Sequence, residues 1–584
     1  MSRDDETVSV LACWAAMAVF AVGLAVLGVK LKAVQVDDAP EYSYKGRGQS
    51  TRRVQTAGAR GRIVDRNGAV LADNRRCASI TCSAAAFRKK TWGATVAAIA
   101  EAVSNVAAAV GRPSTLSERD IRRHVDRSLA IPLVAWRDLD DGEVARFAER
   151  EIFFPGFSLV ETDERVYPLG SLAAHLVGYV GRDRVAGDAG DEKFNFREVE
   201  LCGRSGLELY YDGYLRGVPG EKKLVVDARG FTVGEQTVLE PRRGLDLMTT
   251  LDSGLQRVAE GRLAGMRGAC VAIDPRDGAV LAFASAPSYD LSDFTPVLTQ
   301  EVYERLLNDP GKPLLNRASG GVYAPGSTFK PVTALAALAA GVDPDEPYEC
   351  TGVFEFGDLK LRCARRWGHG PLTMRDAIRE SCNAYFCNLG CGIGTNALFS
   401  AAGAFGLGSK TGIDFTDDRA GVVPDDAWKR RKYGERWYPG DLAQMAIGQG
   451  MLLASPLQMA VVAGALGTGF VVTPHFMAGK GRPQRRPLPF ADEALAVVRD
   501  GMRMVVEAGG GKAAAVPGVA VCGKTGTAEV GYGENKRKNT WFVAFAPMES
   551  PTVALAVVVE DGESGGSTAA PVAGAVLGEV FHAR

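Results

Sequence analysis

Gly-Gly-Val-Tyr-Ala-Pro-Gly-Ser-Thr-Phe-Lys-Pro, residues 320–331, is the stretch on which the reading of this chain turns. Pro325-Gly326 is turn chemistry, and the apolar run from Val332 to Ala340, closed by Gly341, has the make-up of a helix. Pro331 is tolerated only in a first helical turn, where its missing N–H is not needed, so the helix must start near Ser327. Ser327 and Lys330 then lie three residues apart on one face of that turn. A hydroxyl at a helix N-terminus with an amine one turn on can make a serine nucleophile without histidine. An N-cap serine followed by a solvated lysine has the same spelling, so the surrounding chain has to decide.

Two more short motifs follow. Ser381-Cys-Asn383 comes after a helical stretch, Met374 to Glu380, and Lys524-Thr-Gly-Thr527 comes after the apolar Val519-Ala-Val-Cys522, at a predicted strand edge. Each is ordinary alone. The ordered triple is not, because each member supplies a separate chemical group. Between 270 and 284 two apolar runs flank Asp274-Pro-Arg-Asp-Gly278, a hairpin signal; 540–546 and 553–560 are further predicted strands around a turn at Pro547; 569–581 reads as a closing helix. Strands at both ends and helices between them predict an α+β (mixed α/β) unit over 245–584, its sheet built from sequence-distant strands.

Upstream, residues 7–29 carry no charge, long enough at about 1.5 Å per residue to cross a bilayer core of roughly 30 Å. Lys30-Leu-Lys32-Ala follows where a cleaved signal would need a small-x-small site, so the segment reads as an uncleaved anchor over 8–29 behind a short tail, 1–7. Lys30 and Lys32 outnumber Arg3, a bias that by itself favours a cytoplasmic C-terminal side, but long domains translocate largely regardless of such charges. Residues 30–59 are polar and read as a linker. In 60–244, Ile63-Val64 and Val70-Leu71 flank Asn67-Gly68, a hairpin signal; 75–155 reads as a helical lobe, with a capping signature at Ser117-x-x-Asp120. Leu245 to Leu251 alternates as a strand.

At 584 residues and a net charge of −1, the composition is that of an ordinary multidomain globular chain and gives no reason to expect nucleic acid as a partner. No internal repeat, phosphate loop or dinucleotide fingerprint is present. The 11 cysteines lack the even spacing of a disulfide scaffold.

The triple resembles that of penicillin-binding serine transpeptidases and serine β-lactamases, and almost the whole chain beyond the anchor resembles a class B penicillin-binding protein. Arg60 to Asn74, Arg165-Val-Tyr-Pro168, Gly203 to Glu208, Asn316-Arg317, Trp541-Phe-Val, Gly565-Gly566 and Ala569-Ala-Pro571 are similar to recurrent blocks of that family. Gly368-His-Gly370, Ser381-Cys-Asn383 and Ala446-Ile-Gly-Gln-Gly450 resemble its elongation branch more than its division branch. Leu291-Ser292 and Ala544 depart from the family pattern at non-catalytic positions. The resemblance implies an antiparallel sheet with helices on both sides, preceded by an elongated β-rich pedestal with a small helical lobe. It implies a peptidoglycan D,D-transpeptidase and β-lactam target on the periplasmic side of a bacterial inner membrane. Ser327 would be the nucleophile, Lys330 the base, Ser381 the proton relay and Asn383 a ligand to the donor amide. Lys524, Thr525, Gly526 and Thr527 would hold the terminal carboxylate and the oxyanion. No catalytic cofactor is implied. The segment before Leu245 carries no glycosyltransferase motif, so the glycan strands come from a partner, by resemblance a SEDS-type polymerase among elongation-complex membrane proteins. A β-lactamase would leave the anchor and N-terminal half unexplained; a D,D-carboxypeptidase, a penicillin-sensing domain and a scaffold are the other readings.

Cys350, Cys363, His369 and Cys382 form a further set, with Cys382 inside the second motif. Three thiolates and an imidazole complete a tetrahedral zinc site. A Cys350–Cys363 disulfide, or unpaired core cysteines, would account for the same residues. Relatives of the elongation type tend to carry metal-ligating residues at these positions, which implies structural zinc. Cys387 and Cys391, one helical turn apart, read as core.

Overall fold

Five strands lie side by side in the C-terminal unit, in the order Val280–Ala286, Arg267–Ile273, Val553–Glu560, Arg537–Ala546, Cys522–Val530, every neighbouring pair antiparallel. The central strand is apolar throughout because both its faces are covered. Ala554, Ala556 and Val558 pack into one core with helix Pro456–Thr468; Val553, Leu555, Val557 and Val559 pack into a second with helices Ser253–Leu263 and Ala570–His582. That is the period-two alternation of a sheet buried on both sides. Cys522–Val530 closes one edge, and its free side faces the turn that carries Ser327. This computed structural model describes residues 3–40, 50–182, 194–198, 200–357, 359–479, 481, 484–531 and 537–582.

Both expected hairpins form, with Ile63 opposite Ala72 and Ile273 opposite Val280. The N-terminal helix runs Arg3–Lys32, its side chains from Val10 onward exposed as those of a membrane span must be. Helix Trp92–Val110 is also long and apolar enough to cross a membrane, but it buries Val96, Ile99, Val103, Val106 and Val110 in the lobe. Ser117 and Asp120 make a complete capping box.

Three expectations need correction. The supposed linker 30–59 contains a strand, Thr51–Thr56, paired antiparallel with Gly220–Val226; Val54 and Thr56 point inward, an alternation that the flanking arginines disguise. Residues 41–49 of that linker, and 1–2 of the tail, lie outside the described residues. Within the stretch 75–155 read as a helical lobe, Leu133–Leu139 is a strand alongside the long strand Val70–Cys82. Of 245–251 only Leu247–Met248 is a strand, and it pairs with Ile63–Val64, so a pedestal sheet reaches past the expected boundary at 244.

Three sequence blocks noted above meet in one buried network of the pedestal. Glu208 accepts from Arg60 Nε at 2.6 Å and from Arg165 Nε at 2.7 Å, and all three side chains are at most 3% exposed. Arg165 Nη1 also donates to the Gly61 carbonyl at 2.8 Å and to Asn74 at 3.1 Å. These residues tie distant segments together.

Candidate active site

The turn before Ser327 is fixed from three sides. Tyr323 exchanges backbone hydrogen bonds with Ala454, Trp541 Nε1 donates to the Ala324 carbonyl at 3.0 Å, and the Gly326 N–H donates to the Gly448 carbonyl at 2.7 Å. Gly326 has a φ of 57°, in the region that favours glycine. A Cβ on Gly448 would lie 2.0 Å from the Gly326 carbonyl oxygen, so the two backbones meet where a side chain cannot fit. The chain then passes through a 3₁₀ turn, Gly326–Phe329, into helix Lys330–Ala339, with Pro331 in its first turn as expected. Ser327 is half-buried at the mouth, whereas Lys330 behind it is fully buried.

Helix Met374–Arg379 ends just before Ser381, whose φ of 54° is strained for a residue with a side chain; helix Asn383–Ile393 begins two residues on. This kink presents Ser381 and Asn383 to the lysines. Lys330 Nζ donates to the Ser381 carbonyl at 2.7 Å, to Asn383 Oδ1 at 2.7 Å and, more weakly, to Ser381 Oγ at 3.3 Å. Lys524 Nζ donates to the same Oγ at 2.9 Å and to the Thr525 carbonyl at 3.0 Å. One hydroxyl therefore sits between two buried amines. Burial pushes Lys330 down to about 8; burial and the Lys330 charge push Lys524 well below the ordinary lysine range. A neutral Lys330 has two N–H bonds and a lone pair, which suits it to accept a proton. The Ser327 hydroxyl is not among the groups it bonds in this state.

Thr525 and Thr527 are partly exposed along the sheet edge and Gly526 is buried between them, where a Cβ would come within 2.9 Å of the Pro325 carbonyl oxygen. The close approach of Pro325 and Gly526 puts this strand against the serine turn. The two threonine side chains share one face of the strand, at two-residue spacing.

The four proposed ligands converge. The Sγ atoms of Cys350 and Cys363, and of Cys363 and Cys382, are 3.7 Å apart; Cys382 and Cys350 are 3.4 Å apart, and His369 Nδ1 lies 3.4 Å from Cys350 Sγ. Zinc–sulfur bonds of about 2.3 Å at tetrahedral angles place sulfurs about 3.8 Å apart, whereas a disulfide needs about 2.05 Å. The donor set and its spacing fit zinc, and Cys350 and Cys363 are not bonded to each other. The Cys382 thiol and the Ala384 N–H hydrogen-bond to Cys363 and lower it below the ordinary thiol range. Asn383 Nδ2 donates to the Arg362 carbonyl at 2.9 Å, so the cysteine-bearing loop touches the catalytic motif at Asn383 as well as at Cys382.

All twelve expected residues thus fall into two adjoining groups joined through Cys382. Sequence reasoning missed the bracing residues. Glu560 accepts from Tyr323 Oη at 2.9 Å and from the buried Arg317 at 2.8 Å, locking the turn to the end of the central strand. Trp541, Arg317 and Gly448 were visible as family blocks without a role; Tyr323 and Glu560 gave no signal beyond their neighbours.

Residues 268–578 match the family of the penicillin binding protein transpeptidase domain, and residues 55–249 match the penicillin-binding protein dimerisation domain. Over 94% of its length the chain is 34% identical to the peptidoglycan D,D-transpeptidase MrdA of Acinetobacter baumannii, covering 85% of that protein. A solved complex between penicillin-binding protein PBP2 and MreC from Helicobacter pylori contains a chain that matches with a TM-score of 0.78 and 27% identity, over 91% of this chain and 99% of that one. A chain from a solved peptidoglycan synthase complex, described as coordinating polymerization and crosslinking, matches with a TM-score of 0.70 and 28% identity over 97% of both chains.

Proposed function

The chain belongs to the penicillin-binding protein transpeptidases, as an elongation-type class B peptidoglycan D,D-transpeptidase, and from that premise we propose how its residues divide the reaction. Ser327 Oγ attacks the carbonyl of the penultimate D-Ala of a stem peptide, and neutral Lys330 takes its proton. The oxyanion is held by the backbone N–H groups of Ser327 and Thr527, each typically contributing about 3 kcal/mol. Ser381, bridging Lys330 and Lys524, passes the proton to the departing D-Ala amine as the C–N bond breaks. Asn383 bonds the donor amide; Lys524, Thr525 and Thr527 bind the terminal carboxylate, with Gly526 keeping the strand close to the serine turn. An amine of a neighbouring strand then attacks the ester, forming the new amide and restoring the Ser327 hydroxyl. The observation that carries this reading is the strained Ser381 hydroxyl held between two buried, carboxylate-free lysines.

Ser327→Ala should abolish labelling by a fluorescent penicillin while the protein stays folded; persistent labelling refutes the nucleophile. Supplied with a polymerase and lipid-linked disaccharide pentapeptide, the purified protein should yield penicillin-sensitive cross-linked dimers, whereas tetrapeptide alone would mean a carboxypeptidase.

We further propose that Cys350, Cys363, His369 and Cys382 hold a structural zinc. When bound, the ion supplies a four-way cross-link that fixes the loop beside Ser381 and Asn383. Metal analysis should find about one zinc per chain. Its absence, with a Cys350–Cys363 cross-link by mass spectrometry, removes the proposal.

This is a single-pass membrane protein. We place the anchor in the bacterial inner membrane and the site on its periplasmic side, where stem peptides are. Its partners are elongation-complex proteins; by the family resemblance we place a polymerase of the SEDS type among them, and the solved complex of PBP2 with MreC supports an MreC-like protein.

A further inference from the structure

Residues 360–366, Lys-Leu-Arg-Cys-Ala-Arg-Arg, carry four cations and no acid in a chain whose net charge is −1, and Trp367 follows them. They run from the second strand of a hairpin, Val353–Phe356 and Leu359–Arg362, into the loop of the cysteine set. Leu359 and Leu361 pack against the core, so the alternation of the strand turns Lys360 and Arg362 outward. Lys360 is paired with Glu355 at 2.9 Å. Arg362, Arg365 and Arg366 are exposed, and among the described residues none of their guanidiniums makes an ion pair or hydrogen bond. Asp358 is outside the described residues; Arg362 stands opposite Val353, at the far end of the hairpin from it.

Trp367 is 94% exposed, yet the turn that carries it is clamped. The Gly368 N–H donates to the Arg365 carbonyl and the His369 N–H to the Cys350 carbonyl, each at 3.1 Å. A Cβ on Gly368 would lie 2.1 Å from the Cys350 carbonyl oxygen, and one on Gly352 2.5 Å from that of Arg366, so the two backbones pass too closely for side chains. A fixed, bare indole beside unpaired arginines is the make-up of an interface centre rather than of a solvated loop. Its place matters too. The Arg362 carbonyl accepts from Asn383 Nδ2 at 2.9 Å, and the hairpin packs on the helix that Asn383 begins. Helix Pro439–Ala446 packs on the same helix, and a Cβ on its Gly440 would be 3.4 Å from Leu359 of the hairpin. Just ahead of it Arg436 lies 5.1 Å over the exposed Tyr438 ring, again with no carboxylate partner among the described residues. Cations and aromatic rings thus continue across this face.

We propose that Arg362, Arg365, Arg366 and Trp367 form a platform that holds the donor strand upstream of its D-Ala pair. The inference rests on the transpeptidase reading above. There the terminal carboxylate goes to Lys524, Thr525 and Thr527 and the donor amide to Asn383, so the rest of the stem leaves on the Asn383 side, where Arg362 begins. A peptidoglycan stem carries free carboxylates upstream of the D-Ala pair and an amino sugar beyond them. Guanidinium forks match the carboxylates, and the indole offers a flat apolar face to the C–H side of a sugar ring.

The test uses the full-length protein in detergent with Ser327→Ala, so that uncross-linked pentapeptide glycan strands bind without turnover. Anisotropy of labelled strands reads binding. The emission of Trp367, taken as the difference from Trp367→Phe, reads its exposure to acrylamide, a neutral quencher. Bound strands should shield the indole. Arg365→Gln combined with Arg366→Gln should weaken binding at least about tenfold, Trp367→Ala about fivefold, and Trp367→Phe, which keeps a ring, should retain most of it. Glycan stripped of its peptides should bind at least about tenfold more weakly than the intact strands. With Ser327 restored and a polymerase supplied, the double arginine variant should form fewer cross-linked dimers. Its labelling by fluorescent penicillin, which has no such extension, and its unfolding midpoint should stay those of the wild type. Variants that bind strands as the parent does, an indole still open to acrylamide in the complex, or stripped glycan that binds equally well each overturn the platform. The transpeptidase reading survives those results wherever the wild type forms penicillin-sensitive dimers; a wild type that forms none removes that reading and the platform with it.

Discussion

In the pedestal, Glu208 lies between Arg60 and Arg165, with three side chains buried and opposite charges facing each other at 2.6 and 2.7 Å. In the transpeptidase unit, Lys330 and Lys524 are buried as completely around Ser381, yet their bonds go to hydroxyl, carbonyl and amide oxygens and to no carboxylate. The same physics gives opposite results. A buried charge with a partner keeps its proton state and holds segments in register. A buried amine without one is driven toward neutrality, which makes it a base. Pairing marks structure here, and its absence marks chemistry.

Lys330→Met should give the largest effect. Acylation by penicillin should fall by about 10³-fold, while stability at pH 7 stays within about 2 kcal/mol of wild type, since relief of a desolvated charge offsets the lost hydrogen bonds. Stopped-flow acylation and denaturant unfolding read the two quantities. Glu208→Gln should do the reverse. It leaves two arginines sharing a neutral amide and should destabilise the pedestal by about 3–5 kcal/mol, with the acylation rate of the folded protein unchanged. If Glu208→Gln is neutral while Lys330→Met unfolds the chain, the distinction between the two networks is wrong.

The catalytic group was legible because each of its motifs is local. Pro331 and Gly341 bracket a helix, and a Ser-x-x-Lys spacing survives without knowledge of the fold. The cysteine set was legible as donor types, but only geometry separates a cluster at 3.4–3.7 Å from a disulfide. What the sequence hid lies in long-range pairing. Strand Thr51–Thr56 finds its partner near Lys222, and its two arginines obscure the alternation. Leu133–Leu139 is a strand because Val70–Cys82 offers it an edge, a fact absent from its own residues. Tyr323 and Glu560 are 237 positions apart and meet only through the order of the sheet.

The pH dependence of acylation gives the finest test, because it separates a lysine that acts as a base from one that merely fills space. The groups that face Lys330 are Lys524, Cys387, Cys382 and Cys363; burial lowers it to about 8 and the cysteines oppose that shift. Below that value the amine is protonated and cannot accept the Ser327 proton, so the acylation rate should rise about tenfold per pH unit up to neutrality and level off above about 8. Stability moves over a different window. The folded state binds the lysine proton less tightly than the unfolded chain, so the penalty is absent above the unfolded value of 10.5, grows as pH falls toward about 8, and is constant below. The Lys330 contribution to stability should therefore decline between about pH 10.5 and 8, where the acylation rate is nearly flat. An acylation profile that is flat between pH 6 and 9, in a protein whose unfolding is unchanged over that range, would show that Lys330 does not take the proton and that its burial without a carboxylate serves only packing.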